Sequence, residues 1–210
     1  LVDDILAARR TDVREKNLIG LFPGSRRREI ERHFPVFLKV VQAAQKEHPE
    51  WRFETSASSP QLTELMLKMT RRAGVDPALI NICPGSYHDL MDRAEAALVT
   101  SGTATLEAAL HELPFALVYK VAWGTYLMAR MVLTIKYIGM VNILEDKPIT
   151  RELIQHEFNV QNCLAELERL TTPGPREEVL AGMREATNHL GRGGAAVRAA
   201  EAIVALMEEK

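Results

Sequence analysis

The sequence predicts an α/β fold built on a parallel β-sheet. Short apolar runs that end at glycine or proline alternate along the chain with longer amphipathic segments. An apolar run stopped by Pro-Gly is typical of a buried strand, and strands that alternate with helices imply βαβ units. Because βαβ crossovers are right-handed, these units wind into a Rossmann-like structure with helices on the faces of the sheet.

Strands and helices alternate as far as residue 120. Residues 1–16 are polar and are predicted to form a connecting helix. Strands are predicted at 17–22, 51–57, 79–83, 96–100 and 114–120. Helices are predicted at 28–48, 61–73, 87–93 and from 101 to 111. Pro35 is expected to break the first of these, because proline removes a helix hydrogen bond and clashes with the preceding turn.

Every element predicted after residue 121 is a helix. The ranges are 123–137, 150–156, 161–170, 176–190 and 195–208, with strong breakers at 173–175 and 191–194. We therefore divide the chain into a connector (1–16), a Rossmann-like domain (17–170) and carboxyl-terminal helices (171–210). Apolar residues of the last helix, such as Ile203, Val204 and Met207, are expected to lack a partner within this chain.

Composition limits the classes of function. The 210 residues carry 26 Lys+Arg and 28 Asp+Glu, a formal charge of −2, which argues against a general nucleic-acid binder. Cys83 and Cys163 are too few for a disulfide framework and lack metal-type spacing, so reduced thiols of a cytosolic protein are expected, with no metal site. The first ten residues lack a signal-peptide layout and an initiator Met, so we expect a piece of a longer protein.

Residues 121–140 are mostly apolar but are interrupted by Arg130 and Lys136, and the uncharged run is too short to span a bilayer. Two interpretations stay open. The segment is a helix buried between layers of the fold, or it lies on a membrane surface with Trp123, Tyr126 and Tyr137 at the headgroup level.

The first candidate anion site is the loop Pro23-Gly24-Ser25-Arg26, which follows the first predicted strand. Glycine permits a tight turn, Ser25 offers a hydroxyl and an amide, and the Arg26 guanidinium suits phosphate oxygens. The next helix points its amides toward the same place. The alternative is a plain turn with a solvated arginine. Neither a GxGxxG nor a GxxxxGK[ST] pattern is present.

The second candidate runs from Ser101-Gly102-Thr103 to Glu107, after the fourth predicted strand. Ser and Thr are helix-capping residues, and a carboxylate one turn into the helix accepts two hydroxyls, as the diol of a ribose offers. The alternative is a glutamate favoured only by the helix dipole. Because ligands bind at the carboxyl ends of parallel strands, the two loops together predict a nucleoside-diphosphate site, with the 83–86 loop as an edge for the base. The sequence contains no Asp-x-Asp motif, so it does not indicate a divalent metal that bridges the diphosphate.

Four blocks of sequence carry a resemblance to a known family. They are Phe-Pro-Gly-Ser-Arg at 22–26 with Glu29-Ile30, Leu-Val-Thr-Ser-Gly-Thr-Ala-Thr-Leu-Glu at 98–107, Val-Asn-Ile-Leu at 141–144 and Glu-Leu-Ile-Gln at 152–155. In order and spacing the chain resembles the carboxyl-terminal half of lipid-A-disaccharide synthase over nearly its whole length. The family commonly has a proline where this chain has Val141.

The resemblance implies an inverting glycosyltransferase of the two-domain GT-B type. Such an enzyme transfers a diacylated glucosamine from UDP to an acylated glucosamine 1-phosphate, forming a β-1,6 disaccharide and releasing UDP without a cofactor. This chain would be the UDP-donor half, with Arg26 and Asn142 as catalytic residues. The expected ligand-binding residues are Gly24, Ser25, Arg26, Ser86, Ser101, Gly102, Thr103, Glu107 and Gln155. The acceptor site and the general base would lie in the amino-terminal half, which is absent here.

The resemblance also implies partners. Acylated substrates favour peripheral contact of 121–140 with the inner membrane, in the cytoplasm, and a second copy of the chain is a further predicted partner. Two alternatives stay open: another UDP-sugar enzyme of this architecture, such as a MurG-like transferase or a UDP-sugar 2-epimerase, and a non-catalytic nucleotide-binding module.

Overall fold

The computed structural model describes residues 2–122 and 136–190, together with residues 200, 201, 204 and 207. The strands are β1 (Glu15–Phe22), β2 (Arg52–Ala57), β3 (Ile80–Pro84), β4 (Ala94–Thr100), β5 (Phe115–Tyr119) and β6 (Glu152–Ile154). The first helices are α1 (Val2–Ala8), α2 (Arg27–Glu47), α3 (Pro60–Arg72), α4 (Tyr87–Arg93) and α5 (Thr103–Leu110). The later ones are α6 (Met140–Glu145), α7 (Val160–Thr171) and α8 (Pro173–Asn188). A 3-10 turn (Pro77–Leu79) precedes β3.

The six strands form one sheet in the order β3-β2-β1-β4-β5-β6, and every neighbouring pair is parallel. This confirms the predicted α/β, Rossmann-like architecture. The central strands are buried on both faces, which explains why they read as nearly continuous apolar runs. Helix α2 covers the sheet with an apolar stripe that includes Phe34, Phe37 and Val41.

The connecting helix predicted over residues 1–16 is shorter than expected: α1 ends at Ala8, and Glu15 already belongs to β1, where it pairs with Ala94 of β4.

Two further predicted features of the helices were wrong. Helix α2 runs unbroken through Pro35. Proline leaves the carbonyl of Glu31 without its helix partner, but Glu31 and Pro35 are both exposed, so water can take that place. Phe34 and Phe37 stay buried. Helix α8 begins at Pro173, one of the predicted breakers, because proline in the first turn lacks only an N–H that has no helix partner there.

Residues 150–156 were predicted as a helix and instead contain strand β6. Leu153 is fully buried, and β6 pairs with β5 from Leu117 to Tyr119. The Leu117 amide donates to the Arg151 carbonyl, and the Gln155 amide donates to the Tyr119 carbonyl. The otherwise open edge of β5 therefore decides the conformation of this short segment, overriding its local propensity.

The predicted helix at 123–137 lies outside the described residues except at its end, as does most of the predicted helix at 195–208. Val204 and Met207 are exposed, at 51% and 72%. Within residues 2–122 and 136–190, no helix combines the length and apolar character needed to cross a bilayer.

Candidate functional site

A cleft lies at the point where the strand order reverses. The chain adds β2 and β3 on one side of β1 and then returns to place β4 on the other. Ligands of open parallel sheets bind outside the carboxyl ends of the strands at such a switch point. The cleft has a volume of about 510 Å³, within the ~300–1,000 Å³ of ordinary small-molecule sites. Its lining comprises Phe22, Pro23, Gly24, Ser25, Arg26, Glu29, Ser56, Ala57, Ser58, Gly85, Tyr87, Thr100, Ser101, Gly102, Thr103, Ala104 and Glu107.

The loop after β1 is closed by the carboxylate of Glu29. Its Oε2 atom accepts hydrogen bonds from the amides of Ser25 (3.0 Å) and Arg26 (3.2 Å). Gly24 has a φ of +106°, a conformation that favours glycine, and the same carboxylate fills the space where a side chain would lie. The Ser25 amide, which the sequence offered as an anion donor, is therefore bound within the loop.

The guanidinium of Arg26 remains open to a ligand. Its side chain is 84% exposed, and its Nη1 lies 3.5 Å from Glu29 Oε1. Arg26 is also the residue that precedes the first turn of α2, whose amino end carries partial positive charge. A permanent cation beside a helix amino end at the rim of a cleft suits an anionic ligand such as a diphosphate.

A buried histidine holds this loop from the protein side. His33 Nδ1 donates to the Pro23 carbonyl (3.1 Å), and its Nε2 accepts from the Lys120 amide (3.2 Å). Burial is the main cause that lowers the pKa of His33, which keeps the ring neutral and able to accept at Nε2. His33 thereby joins the loop after β1 to the residue that follows β5.

The loop after β4 presents the amino end of α5 to the cleft. Gly102 precedes the helix with a φ of +144°, which glycine adopts at little cost. The Thr105 hydroxyl donates to the Gly102 carbonyl at 2.8 Å and stabilises the turn. Ser101, Gly102 and Thr103 all line the cleft, with Thr103 as the first helical residue. The first amides of α5 face no helical acceptor, as at every helix start.

Glu107 enters the cleft from the first turns of α5. Its Oε2 accepts a hydrogen bond from the Tyr87 hydroxyl at 2.7 Å. Burial, and then this hydrogen bond, raise the pKa of Tyr87, so the phenol stays protonated and acts as donor. The Tyr87 ring packs edge-on against Phe22, with 5.5 Å between the ring centroids.

Thr100 adds a buried polar atom at the end of β4. The residue lines the cleft and is 3% exposed, and its hydroxyl oxygen has no hydrogen-bond partner among the described residues. Buried polar atoms normally have a partner, so a polar ligand or a water is expected near this end of the strand.

The structure thus brings most of the predicted site residues together. The same cleft contains Gly24, Ser25, Arg26, Ser101, Gly102, Thr103 and Glu107. Ser86, Asn142 and Gln155 are not among its lining residues.

These three residues use their polar atoms within the fold. The Ser86 hydroxyl donates to the Cys83 carbonyl, and the Gln155 amide group exchanges two hydrogen bonds with the backbone of Val121. Asn142 is fully buried. Its Nδ2 donates to the Thr150 carbonyl and to Glu152 Oε1, and its Oδ1 accepts from the Thr150 amide.

Sequence reasoning missed two residues that shape the cleft. Glu29 follows Arg26 by three positions, the spacing at which a helix-start glutamate reaches back to the preceding amides, so its role was readable from the sequence. Tyr87 follows the Gly85-Ser86 turn, but its contact with Glu107 crosses twenty positions of sequence and had no local signal.

One group of metal-type side chains lies elsewhere on the described surface. Ligand atoms of Glu47, His48 and Glu168 lie within 4.8 Å of one another. His48 Nε2 is 2.8 Å from Glu168 Oε1, and the His48 ring stacks on Trp51 at 4.0 Å. These contacts connect the end of α2 to α7, which explains why the three side chains lie close together.

The sequence pattern of the lipid-A-disaccharide synthetase family matches residues 3–201. A lipid-A-disaccharide synthase of Myxococcus xanthus is 33% identical over 90% of this chain and 49% of the relative. The enzyme of the same name from Paraburkholderia xenovorans is 36% identical over 100% of this chain and 54% of the relative. The chain therefore spans about half the length of these curated relatives.

Solved structures agree with the fold. The S. aureus MnaA–UDP co-structure has a TM-score of 0.57 at 16% identity and covers 99% of this chain and 48% of that one. The carboxyl-terminal domain of a glycosyl transferase group 1 family protein from Francisella tularensis has a TM-score of 0.54 at 13% identity, over 84% of this chain and 87% of that one. The chain has the Rossmann-like fold that forms one half of GT-B glycosyltransferases. The match of the family's sequence pattern over residues 3–201 places the chain in the lipid-A-disaccharide synthase family.

Proposed function

We propose that this chain is the UDP-donor half of an inverting glycosyltransferase, which transfers a diacylated glucosamine from UDP to an acylated glucosamine 1-phosphate. The observation that carries the proposal is that a cation from the loop after β1, Arg26, and a carboxylate from α5, Glu107, line one cleft. A nucleoside diphosphate needs both, the cation for its phosphates and the carboxylate for its ribose hydroxyls. Family membership and the UDP in the MnaA structure support uridine diphosphate as the nucleotide.

In the proposed reaction, an acceptor hydroxyl attacks the anomeric carbon of the donor sugar. The bond from that carbon to the UDP oxygen breaks as the new glycosidic bond forms, and the hydroxyl proton passes to a base that we place in the other half of the enzyme. UDP leaves with increased negative charge. Arg26 and the amino end of α5 would stabilise that charge by fixed electrostatics.

The remaining parts of the proposal concern the whole protein. Residues 1–16 would connect to the acceptor half, 17–170 would bind the nucleotide sugar, and 171–210 would form the carboxyl-terminal helices. Residues 121–140 would meet the cytoplasmic surface of the inner membrane, where acylated substrates reside, and a second copy of the chain is a proposed partner.

Two other functions use the same architecture. A MurG-like transferase or a UDP-sugar 2-epimerase would differ mainly in the half that this chain lacks, and family membership favours the lipid A reaction over them. A non-catalytic nucleotide-binding module would bind UDP without turnover even when joined to the amino-terminal half.

Calorimetric titration of the chain with UDP tests the proposed donor site, with ADP as the control nucleotide. We expect UDP to bind at least tenfold more tightly than ADP. The two nucleotides share ribose and diphosphate, so any difference in affinity measures recognition of the base. Equal affinities, or no binding of UDP, would contradict the proposal. Joining the chain to an amino-terminal half and measuring UDP release then separates an enzyme from a binding module.

A further inference from the structure

We propose that Tyr87 is a positioning residue for Glu107 and that the pair makes the cleft selective for ribonucleotides over deoxyribonucleotides. The inference rests on the proposed function, because it takes the ligand to be a nucleoside diphosphate. It adds a substrate preference and assigns that preference to a contact between α4 and α5.

The first step concerns the two oxygens of the Glu107 carboxylate. Oε2 accepts from the Tyr87 hydroxyl at 2.7 Å, whereas Oε1 has no hydrogen bond to any residue within the described part of the chain. Both side chains line the cleft. The phenol therefore fixes one oxygen and leaves the other, together with the remaining lone pair of Oε2, for hydroxyl groups of a ligand.

The second step concerns the rigidity of Tyr87. Its ring leans edge-on against Phe22, which is 3% exposed, at the end of β1. The next residue, His88, lies with its Nδ1 3.1 Å from Nε2 of His111, the residue that directly follows α5 and lies four positions after Glu107. Consecutive residues of α4 thus contact α5 at Glu107 and the end of that helix at His111, which fixes the spacing of the helices and the position of the phenol.

The third step is chemical. A carboxylate recognises a diol best when both oxygens point toward the two hydroxyls, because hydrogen bonds to charged acceptors are strong but directional. Without the phenol, Glu107 regains rotamer freedom that ligand binding must remove again. Loss of the Tyr87 hydroxyl should therefore weaken ribose recognition, while contacts with the base and the diphosphate stay unchanged.

The test compares binding of UDP and 2′-deoxy-UDP to the chain by calorimetry. The wild type is expected to prefer UDP at least tenfold. Tyr87→Phe, which removes only the hydroxyl, should reduce this preference to about threefold or less while the affinity for 2′-deoxy-UDP changes by less than twofold. Glu107→Gln should also lose the preference, and adding Tyr87→Phe to it should cause no further loss, because the two residues act together.

Tyr119→Phe is the matched control, since it removes the same atom from a tyrosine that does not line the cleft, and the preference should remain. Should Tyr87→Phe fail to fold, Phe22→Leu tests the same orientation by removing the ring on which Tyr87 leans, and should lower the preference at least threefold.

An unchanged preference in Tyr87→Phe, with the preference lost in Glu107→Gln, would overturn the role of Tyr87 and leave the proposed function standing. A wild type that binds UDP and 2′-deoxy-UDP equally would also overturn the inference alone. A wild type that binds neither nucleotide would overturn both the inference and the proposed function.

Discussion

Gly24 lies directly against Glu29: a β-carbon on Gly24 would collide with Glu29 Oε2 and lie 2.7 Å from the Glu29 β-carbon. The same oxygen accepts from the amides of Ser25 and Arg26, so any side chain at position 24 must displace the group that closes the loop. The φ of +106° adds backbone strain for every residue other than glycine.

We therefore expect Gly24→Ala to lower UDP affinity about tenfold, equivalent to ~1.4 kcal/mol, as measured by calorimetry. Gly74→Ala is the matched control. Gly74 also has a positive φ, +65°, but a β-carbon there meets no atom within 4 Å. It should cost some stability and leave UDP affinity unchanged. Equal losses of affinity in the two variants would show that the contact with Glu29 is unimportant.

Removal of the Arg26 guanidinium is expected to slow the reaction. In the full-length enzyme, Arg26→Ala should lower turnover at least tenfold, because the leaving UDP loses a fixed cation, a kind of contact that contributes about 2–4 kcal/mol. Arg27→Ala is the control, since Arg27 is also exposed but pairs with Glu31 and does not line the cleft. Steady-state UDP release measures both, and a near-normal rate in Arg26→Ala would remove Arg26 from the site.

Asn142 is expected to stabilise the fold. Asn142→Ala should lower the free energy of unfolding by about 2–4 kcal/mol, because it removes the side-chain partners of the buried Thr150 amide and carbonyl. Glu152 loses one donor and keeps the amides of Ile138 and Gly139. Urea denaturation measures the loss. Asn162→Ala, on the part-buried start of α7, is the comparison and should cost less. A loss below about 0.5 kcal/mol for Asn142→Ala would contradict this role.

His33 makes stability depend on pH. Its folded-state pKa is lowered by burial below the ordinary value of 6.5, so below that pH the unfolded chain binds a proton more readily than the folded one. The contribution of His33 to the free energy of unfolding should therefore be fully present above about pH 6.5. It should decrease as the pH falls from there toward 5. His33→Gln, which keeps a donor for Pro23, should show a smaller loss. Exposed His156→Gln should behave like the wild type, and identical pH profiles for the three chains would refute the assignment.

The proposed membrane contact is tested by flotation with anionic vesicles. We expect the wild type to float and Trp123→Glu with Met131→Glu to reduce the floating fraction at least twofold, because both changes place charge on an apolar segment. Both positions lie outside the described residues. Among the described residues at the end of this segment and just after it, Met140 and Ile143 are apolar and 40% and 47% exposed. Leu67→Glu, at an exposed apolar position of α3, is the control, and equal flotation of all three chains would defeat the idea.

The sequence predicted the sheet well where strands are buried on both faces. The runs 17–22 and 96–100 are apolar nearly throughout, so their strand conformation depends little on neighbouring strands. Strand β6 is different, because its three residues form a strand only by pairing with β5. No periodicity in so short a segment distinguishes it from a helix.

The same distinction applies to the cleft. Gly24, Arg26 and Glu107 were predictable because each has a local relation to the end of a strand or the start of a helix. The partners of Ser86, Asn142 and Gln155 depend on which backbone groups the fold brings near them. A polar side chain near a strand end therefore looks the same in sequence whether it faces a ligand or satisfies the backbone.

The enclosure of Pro23 and its neighbours by His33 and Glu29 has a thermodynamic consequence for ligand capture. The turn has already lost its conformational entropy when the protein folds, so an arriving nucleotide meets a rim that needs little rearrangement. Association should be fast, with the site already in its binding conformation. Substitutions of His33 or Glu29 should therefore affect the association rate constant before other properties of the complex.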